Sequence, residues 1–126
     1  MIEFLLKTLG YTIVIALILL IIYVIYERTM THPLRIPVIK ATQLIQKGII
    51  NKVVDVRTDT EWNNGHYPGA VHLPLAKIQS AGLLLSKSDT ILVYCNTGTR
   101  ARQAAQALIG MGYPRVYYIA ETYHEL

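Results

Sequence analysis

The chain has little with which to cross-link or to coordinate. Its 126 residues include a single cysteine, so no internal disulfide can form and no disulfide framework underlies the fold. The histidines, His32, His66, His72 and His124, keep no ligand spacing with that cysteine, which argues against zinc and leaves no metal site legible. Neither G-x-x-x-x-G-K-[ST] nor G-x-G-x-x-G occurs, so no phosphate-loop or dinucleotide cofactor is expected. Acidic residues are few, 8 against 12 Lys and Arg. The resulting charge of +4 is nevertheless scattered, not gathered into the basic stripe of a nucleic-acid binder. It suits an anionic substrate or an anionic lipid surface. Repeats and low-complexity segments are also missing.

What the chain does have is an apolar excess at its front. Residues 8–26, TLGYTIVIALILLIIYVIY, run for 19 positions without a charge between Lys7 and Glu27-Arg28. As a helix this stretch measures roughly 28 Å, close to the hydrocarbon thickness of a bilayer. Tyr11, Tyr23 and Tyr26 near its ends suit the two interfacial zones. A cleaved leader is the competing reading, but it calls for a shorter apolar region and a small-x-small cleavage site, whereas YERTMTHP follows here. The expectation is a single-pass anchor in residues 1–29. Arg28, Arg35 and Lys40 after the span outnumber Lys7 and the terminal amine before it, which places the remainder on the cytoplasmic side by a margin of one charge. A lone thiol agrees with that reducing compartment.

RTMTHPLRIP, with Pro33 and Pro37, reads as an extended linker over residues 30–37. Beyond it, residues 38–126 alternate strand-like and helix-like runs. PVIK is a possible first strand and ATQLIQKG a short helix stopped by Gly48. KVVDV is a buried strand, DTEWNNG a helical turn capped by Asp59, and GAVHLPL a strand ended by Pro74. AKIQSAGLLLSK reads as a helix, DTILVY as a strand, TRARQAAQALIGMG as a helix closed by Gly112, and RVYYI as the last strand. Strands and helices in alternation over short connections predict an α/β fold, a mostly parallel sheet of about five strands with helices on both faces.

In such sheets ligands bind beyond the carboxyl ends of strands. Cys95 occupies that place, between the strand ending at Tyr94 and the helix that follows. On ILVYC alone the thiol reads as a small buried hydrophobe. Its continuation NTGTR shifts the reading, because a loop of this kind turns backbone N–H groups inward and adds the positive end of a helix dipole. Gly98 permits the backbone conformation required, and a thiolate held there is a nucleophile. Arg100 and Arg102 oppose the helix dipole, a cost that implies a use: pairing with Asp55 or Glu61, or steering an anion. Arg57 and Glu61, four apart, read as an ion pair fixing a turn. His66 reads as a hydrogen-bonded turn residue and His72 as a satisfied side chain.

VVDVRTDTEWNNGHYPGAVHLPL, residues 53–75, with its D-x-R, E, G-H, G-A and proline, resembles the first half of the rhodanese family signature. ILVYCNTGTRARQAAQALIGMGYPRVYYI, residues 91–119, resembles its active-loop half. The resemblance implies a rhodanese-like fold and a sulfurtransferase without a cofactor: Cys95 takes a sulfane sulfur from a thiosulfate- or persulfide-type donor and passes it to a thiol or cyanide. It further implies that Asn96, Thr97, Gly98, Thr99 and Arg100 form the cradle, with Asp55 and Arg57 close by and Glu61 and Arg102 in support.

Cysteine phosphatases resemble C-x5-R, which requires arginine at 101; the residue there is Ala101, and the smaller loop suits sulfur better than phosphate. Thiosulfate-preferring members resemble one another in carrying basic residues where this chain has the neutral Asn96 and Thr97. The chain also ends at AETYHEL, without the family's tryptophan-bearing helix, and its only tryptophan is Trp62. A thin core wall, or one supplied by a membrane-protein partner, is the expectation. A different class remains open: a membrane-tethered module that recruits a partner without turnover.

Overall fold

The computed structural model describes residues 1–30 and 34–126. His32 and the middle of the expected linker, residues 31–33, lie outside the described residues. Contacts divide the chain into two units, Met1–His32 and Pro33–Leu126.

The first unit is one helix, α1 (Ile2–Met30). Its Ile2–Glu27 stretch holds a window of mean hydropathy 2.7, none of it buried. Apolar side chains such as Leu5, Ile15, Leu20 and Ile25 are exposed all along it. A helix apolar all round has no single face to pack against a core.

The second unit is a parallel sheet of β1 (Leu34–Arg35), β2 (Lys52–Asp55), β3 (Val71–His72), β4 (Ile91–Tyr94) and β5 (Val116–Tyr118) in the order β1-β5-β4-β2-β3. Its connections are α2 (Val38–Gln46), α3 (Asp59–Asn63), a 3-10 segment (Leu75–Leu83) and α4 (Thr99–Gly110). The α/β class and the largely parallel sheet are those expected. β4 is buried on both faces, so it is a continuous apolar run in place of an alternating one. Ile91 and Val93 pack with Ala101, Ala104, Ala105 and Leu108 of α4, while Leu92 and Tyr94 pack with Ala41 of α2 on the opposite face. Alanines at i, i+3 and i+4 bring α4 close to the sheet. Cys95 continues the two-residue alternation onto the Ile91 and Val93 face and joins the α4 cluster. The strand register thus sets the thiol beneath the first turn of the helix.

Several local expectations are corrected. The first strand is Leu34–Arg35, within the stretch read as linker, and PVIK instead opens α2 with Pro37 as its N-cap. Val38, Ala41, Leu44 and Ile45 share one helical face that packs into the core, and that spacing outweighs the β-branched pair Val38-Ile39. Thr58, not Asp59, caps α3, because its hydroxyl accepts from Glu61 N while Glu61 reaches back to Thr58 N. The expected helix at 76–87 is shorter and 3-10, broken at Lys77 (φ −111°, ψ 16°). Gly48 and Gly112 do follow α2 and α4, at φ +72° and +95°.

Leu108 is fully buried where α4 meets the sheet. Leu108→Ala is expected to cost about 3 kcal/mol in denaturant unfolding of the full chain in detergent micelles; a loss under about 1 kcal/mol would show that this contact does not hold the helix to the sheet.

Candidate active site

The carboxyl ends of β2, β3 and β4 lie side by side, with Asp55 in register with both His72 and Tyr94. Cys95 follows β4, and Gly98 N-caps α4 at φ +93°. A side chain at 98 would place its Cβ 2.7 Å from Ala120 Cα, so both the conformation and the contact demand glycine. With the loop pressed in this way, Gly98 N–H donates to Cys95 Sγ at 3.1 Å and Ala101 N–H at 3.4 Å. Cys95 is itself 0% exposed, covered by the loop that surrounds its sulfur. Asn96, Thr97 and Thr99 form an exposed rim.

Arg100 closes the loop toward α3. Its two terminal nitrogens donate to Glu61 Oε1 at 2.7 Å and Oε2 at 2.9 Å, and Asn96 Nδ2 donates to Glu61 Oε2 at 2.6 Å. Glu61 Oε1 also accepts from Thr58 N and Thr58 Oγ1. One carboxylate therefore both caps α3 and clamps the loop. The Arg100 hydrogen bonds hold the Glu61 carboxyl far below its ordinary range, and the bonds to Glu61 in turn raise the Arg100 guanidinium above its own.

The expected Arg57–Glu61 pair is not formed. Arg57 turns to Asp55, two residues back and 0% exposed, donating from Nε at 3.0 Å and Nη2 at 2.7 Å. A carboxylate buried that deeply takes the nearest guanidinium, and Glu61, at the rim, is left for Arg100. Asp55 also accepts from Arg57 N and from Tyr94 OH at 2.6 Å, and Arg57 Nη2 donates onward to Gly65 O. The guanidinium carbon lies 5.5 Å and 5.0 Å from the ring centres of Tyr94 and Tyr123. Burial, then the bond to Asp55, pushes the Tyr94 hydroxyl well above its ordinary value. The Nε and Nη2 donors of Arg57 are thus engaged in bracing the base of the site. His66 donates to Trp62 O and His72 to Arg57 O, and both rings stack on Trp62.

Arg102 is exposed and faces away from these pairs, lining a cavity of about 200 Å3 with Arg35, Thr97, Thr99 and Tyr118. Sequence reasoning passed over Arg35, Tyr94 and Thr58. For Thr58 a signal existed, since T-x-x-E is the capping-box spacing; a hydroxyl closing an otherwise aliphatic strand was the weaker sign for Tyr94.

The depressed Glu61 carboxyl contributes stability that is fully present above its unfolded value of 4.5 and is lost as pH falls through its lower folded value. Glu61→Gln is expected to cost about 1 kcal/mol at neutral pH, discounted for partial exposure, and to flatten the acid side of the stability profile. Chemical denaturation from pH 7 down to pH 3 checks this, and parallel wild-type and variant profiles would contradict it.

A sequence model described as Rhodanese-like domain matches residues 39–126. The chain is 37% identical over 65 residues to thiosulfate sulfurtransferase PspE of Escherichia coli, covering 50% of this chain and 62% of that protein. It is 33% identical over 64 residues to the putative sulfur carrier protein YrkF of Bacillus subtilis, covering 51% of this chain but only 35% of the relative. Among solved structures, a rhodanese with anions from E. coli superposes with a TM-score of 0.52 at 32% identity, over 60% of this chain and 89% of that one. The match spans the capping box, the Asp55–Arg57 pair and the Cys95 loop together, and the chain belongs to the rhodanese-like domain family.

Proposed function

We propose that the chain is a sulfurtransferase that carries a sulfane sulfur on Cys95. The observation that supports this most is the pair of N–H groups, from Gly98 and Ala101, directed at Sγ. Backbone donors held in place by a strand end and a helix start stabilise negative sulfur without having to reorganise. The Cys95 thiolate attacks the outer sulfur of a donor; the new S–S bond forms as the donor's S–S bond breaks, and sulfite or a thiolate departs. An acceptor then attacks the outer sulfur of the Cys95 persulfide and the thiolate of Cys95 leaves, or cyanide removes the sulfur as thiocyanate. Asn96, Thr97, Gly98, Thr99 and Arg100 surround that outer sulfur in this reading. Asp55 and Arg57 brace the floor, Glu61 clamps Arg100, and Arg102 adds charge outside. The neutral Asn96 and Thr97 favour a persulfide donor over thiosulfate. Ala101, 0% exposed where a phosphatase loop needs arginine, speaks against phosphate esters.

Full burial of Cys95 favours one second reading, a rhodanese-like module that recruits a partner without turnover. The two diverge in one experiment. Incubation with thiosulfate or an organic persulfide is expected to add about 32 Da, one sulfur atom, to the intact chain and nothing to Cys95→Ser. No adduct with any donor would leave the recruitment module.

We also propose that α1 is a single-pass anchor holding the sheet domain, which begins at β1, on the cytoplasmic face, close to a lipid bilayer and a membrane-protein partner. Its unburied apolar surface and the Arg28, Arg35 and Lys40 bias support this. The chain is expected to stay in the membrane pellet through alkaline carbonate, and a chain lacking residues 1–29 to be released. Equal release of both would contradict an anchor.

A further inference from the structure

Four arginines crowd the loop end of the sheet, and they are not equivalent. Arg57 is neutralised by Asp55 and Arg100 by Glu61. Among the described residues, the guanidiniums of Arg35 and Arg102 have no hydrogen-bond or ion-pair partner, and both residues are exposed. They come from elements far apart in sequence, β1 and α4, and both line a cavity of about 200 Å3 whose walls also include Thr97 and Thr99. Among the described residues no carboxylate lines it; Glu121 lines a second cavity that also includes Arg35. The wall shared with the loop is one residue thick, because Gly98, which lines the cavity, also donates its N–H to Cys95 Sγ at 3.1 Å.

Two unpaired guanidiniums with two threonines on the same lining match an oxyanion, which accepts forked N–H donors and single O–H donors at once. We infer that the cavity between Arg35 and Arg102 is a subsite for the carboxylate of a small organic thiol, the partner in sulfur transfer at Cys95. The inference rests on the sulfurtransferase reading. The thiolate of this acceptor attacks the outer sulfur of the Cys95 persulfide; the acceptor's S–S bond forms, the Sγ–S bond breaks, the proton stays on the transferred sulfur, and Cys95 leaves as thiolate. Anchoring the carboxylate beside the loop holds the reacting sulfur over Asn96 and Thr97 and favours acidic thiols over neutral ones.

The test uses the full chain in micelles of neutral detergent, with mercaptoacetate and mercaptoethanol as rival acceptors. The wild type is expected to prefer mercaptoacetate in kcat/KM, and Arg35→Gln and Arg102→Gln each to lower that preference about tenfold, the loss of one charge-assisted contact. Equal loss for both acceptors would mean the arginines only support the fold, and would overturn the subsite. A second arm needs no turnover: acetate is titrated into the Cys95→Ser chain while the side-chain N–H resonances of Arg35 and Arg102 are followed. Their movement supports the subsite even if sulfur transfer fails; immobility overturns it. Movement with nanodiscs of acidic lipid but not with acetate would assign the cavity to a lipid headgroup and also overturn the proposal.

Discussion

Two backbone N–H groups converge on one sulfur atom in the short connection between β4, which ends at Tyr94, and α4, which begins at Thr99. The alternation of β4 directs Cys95 toward α4, and Gly98 at φ +93° brings the loop amides around it. Remove either condition and Gly98 and Ala101 no longer face Sγ. The rest of the site serves to keep this arrangement in place.

Two ion pairs do that work at different depths. Asp55 and Arg57 lie in the core, where an unpaired charge would cost several kcal/mol, on the order of 3–5. Tyr94 OH, Arg57 N and Gly65 O complete their hydrogen bonds, so the pair is tolerated and joins the ends of β2 and β4. Glu61 and Arg100 sit at the rim, with side chains 27% and 32% exposed, and their attraction is weakened by solvent. What that pair supplies is position: it ties the loop to α3 and neutralises Arg100, which leaves the unpaired charge to Arg35 and Arg102. Charge beside the loop therefore depends on which arginines have partners, not on how many there are.

Much of this was legible in sequence because it is local. The runs at 52–56, 91–94 and 99–110 carry their own periodicity, and NTGTR after an apolar strand marks the loop. Sheet edges and long-range partners were less legible. β1 is two residues long and pairs with a strand more than eighty positions away, so no alternation betrays it. Glu61 was a candidate partner for Arg57 or Arg100 alike, and the choice follows only once the buried Asp55 has claimed Arg57. Arg35 was read as a linker charge because only the fold brings it beside Arg102.

If main-chain donors of the Cys95 loop stabilise negative sulfur, a crystal structure of the persulfide form will show it. The outer sulfur is expected inside the ring of residues 96–100, within hydrogen-bonding distance of the loop amides. An outer sulfur turned away from those amides, or a Cys95 that remains unmodified in crystals grown with excess donor, would contradict it.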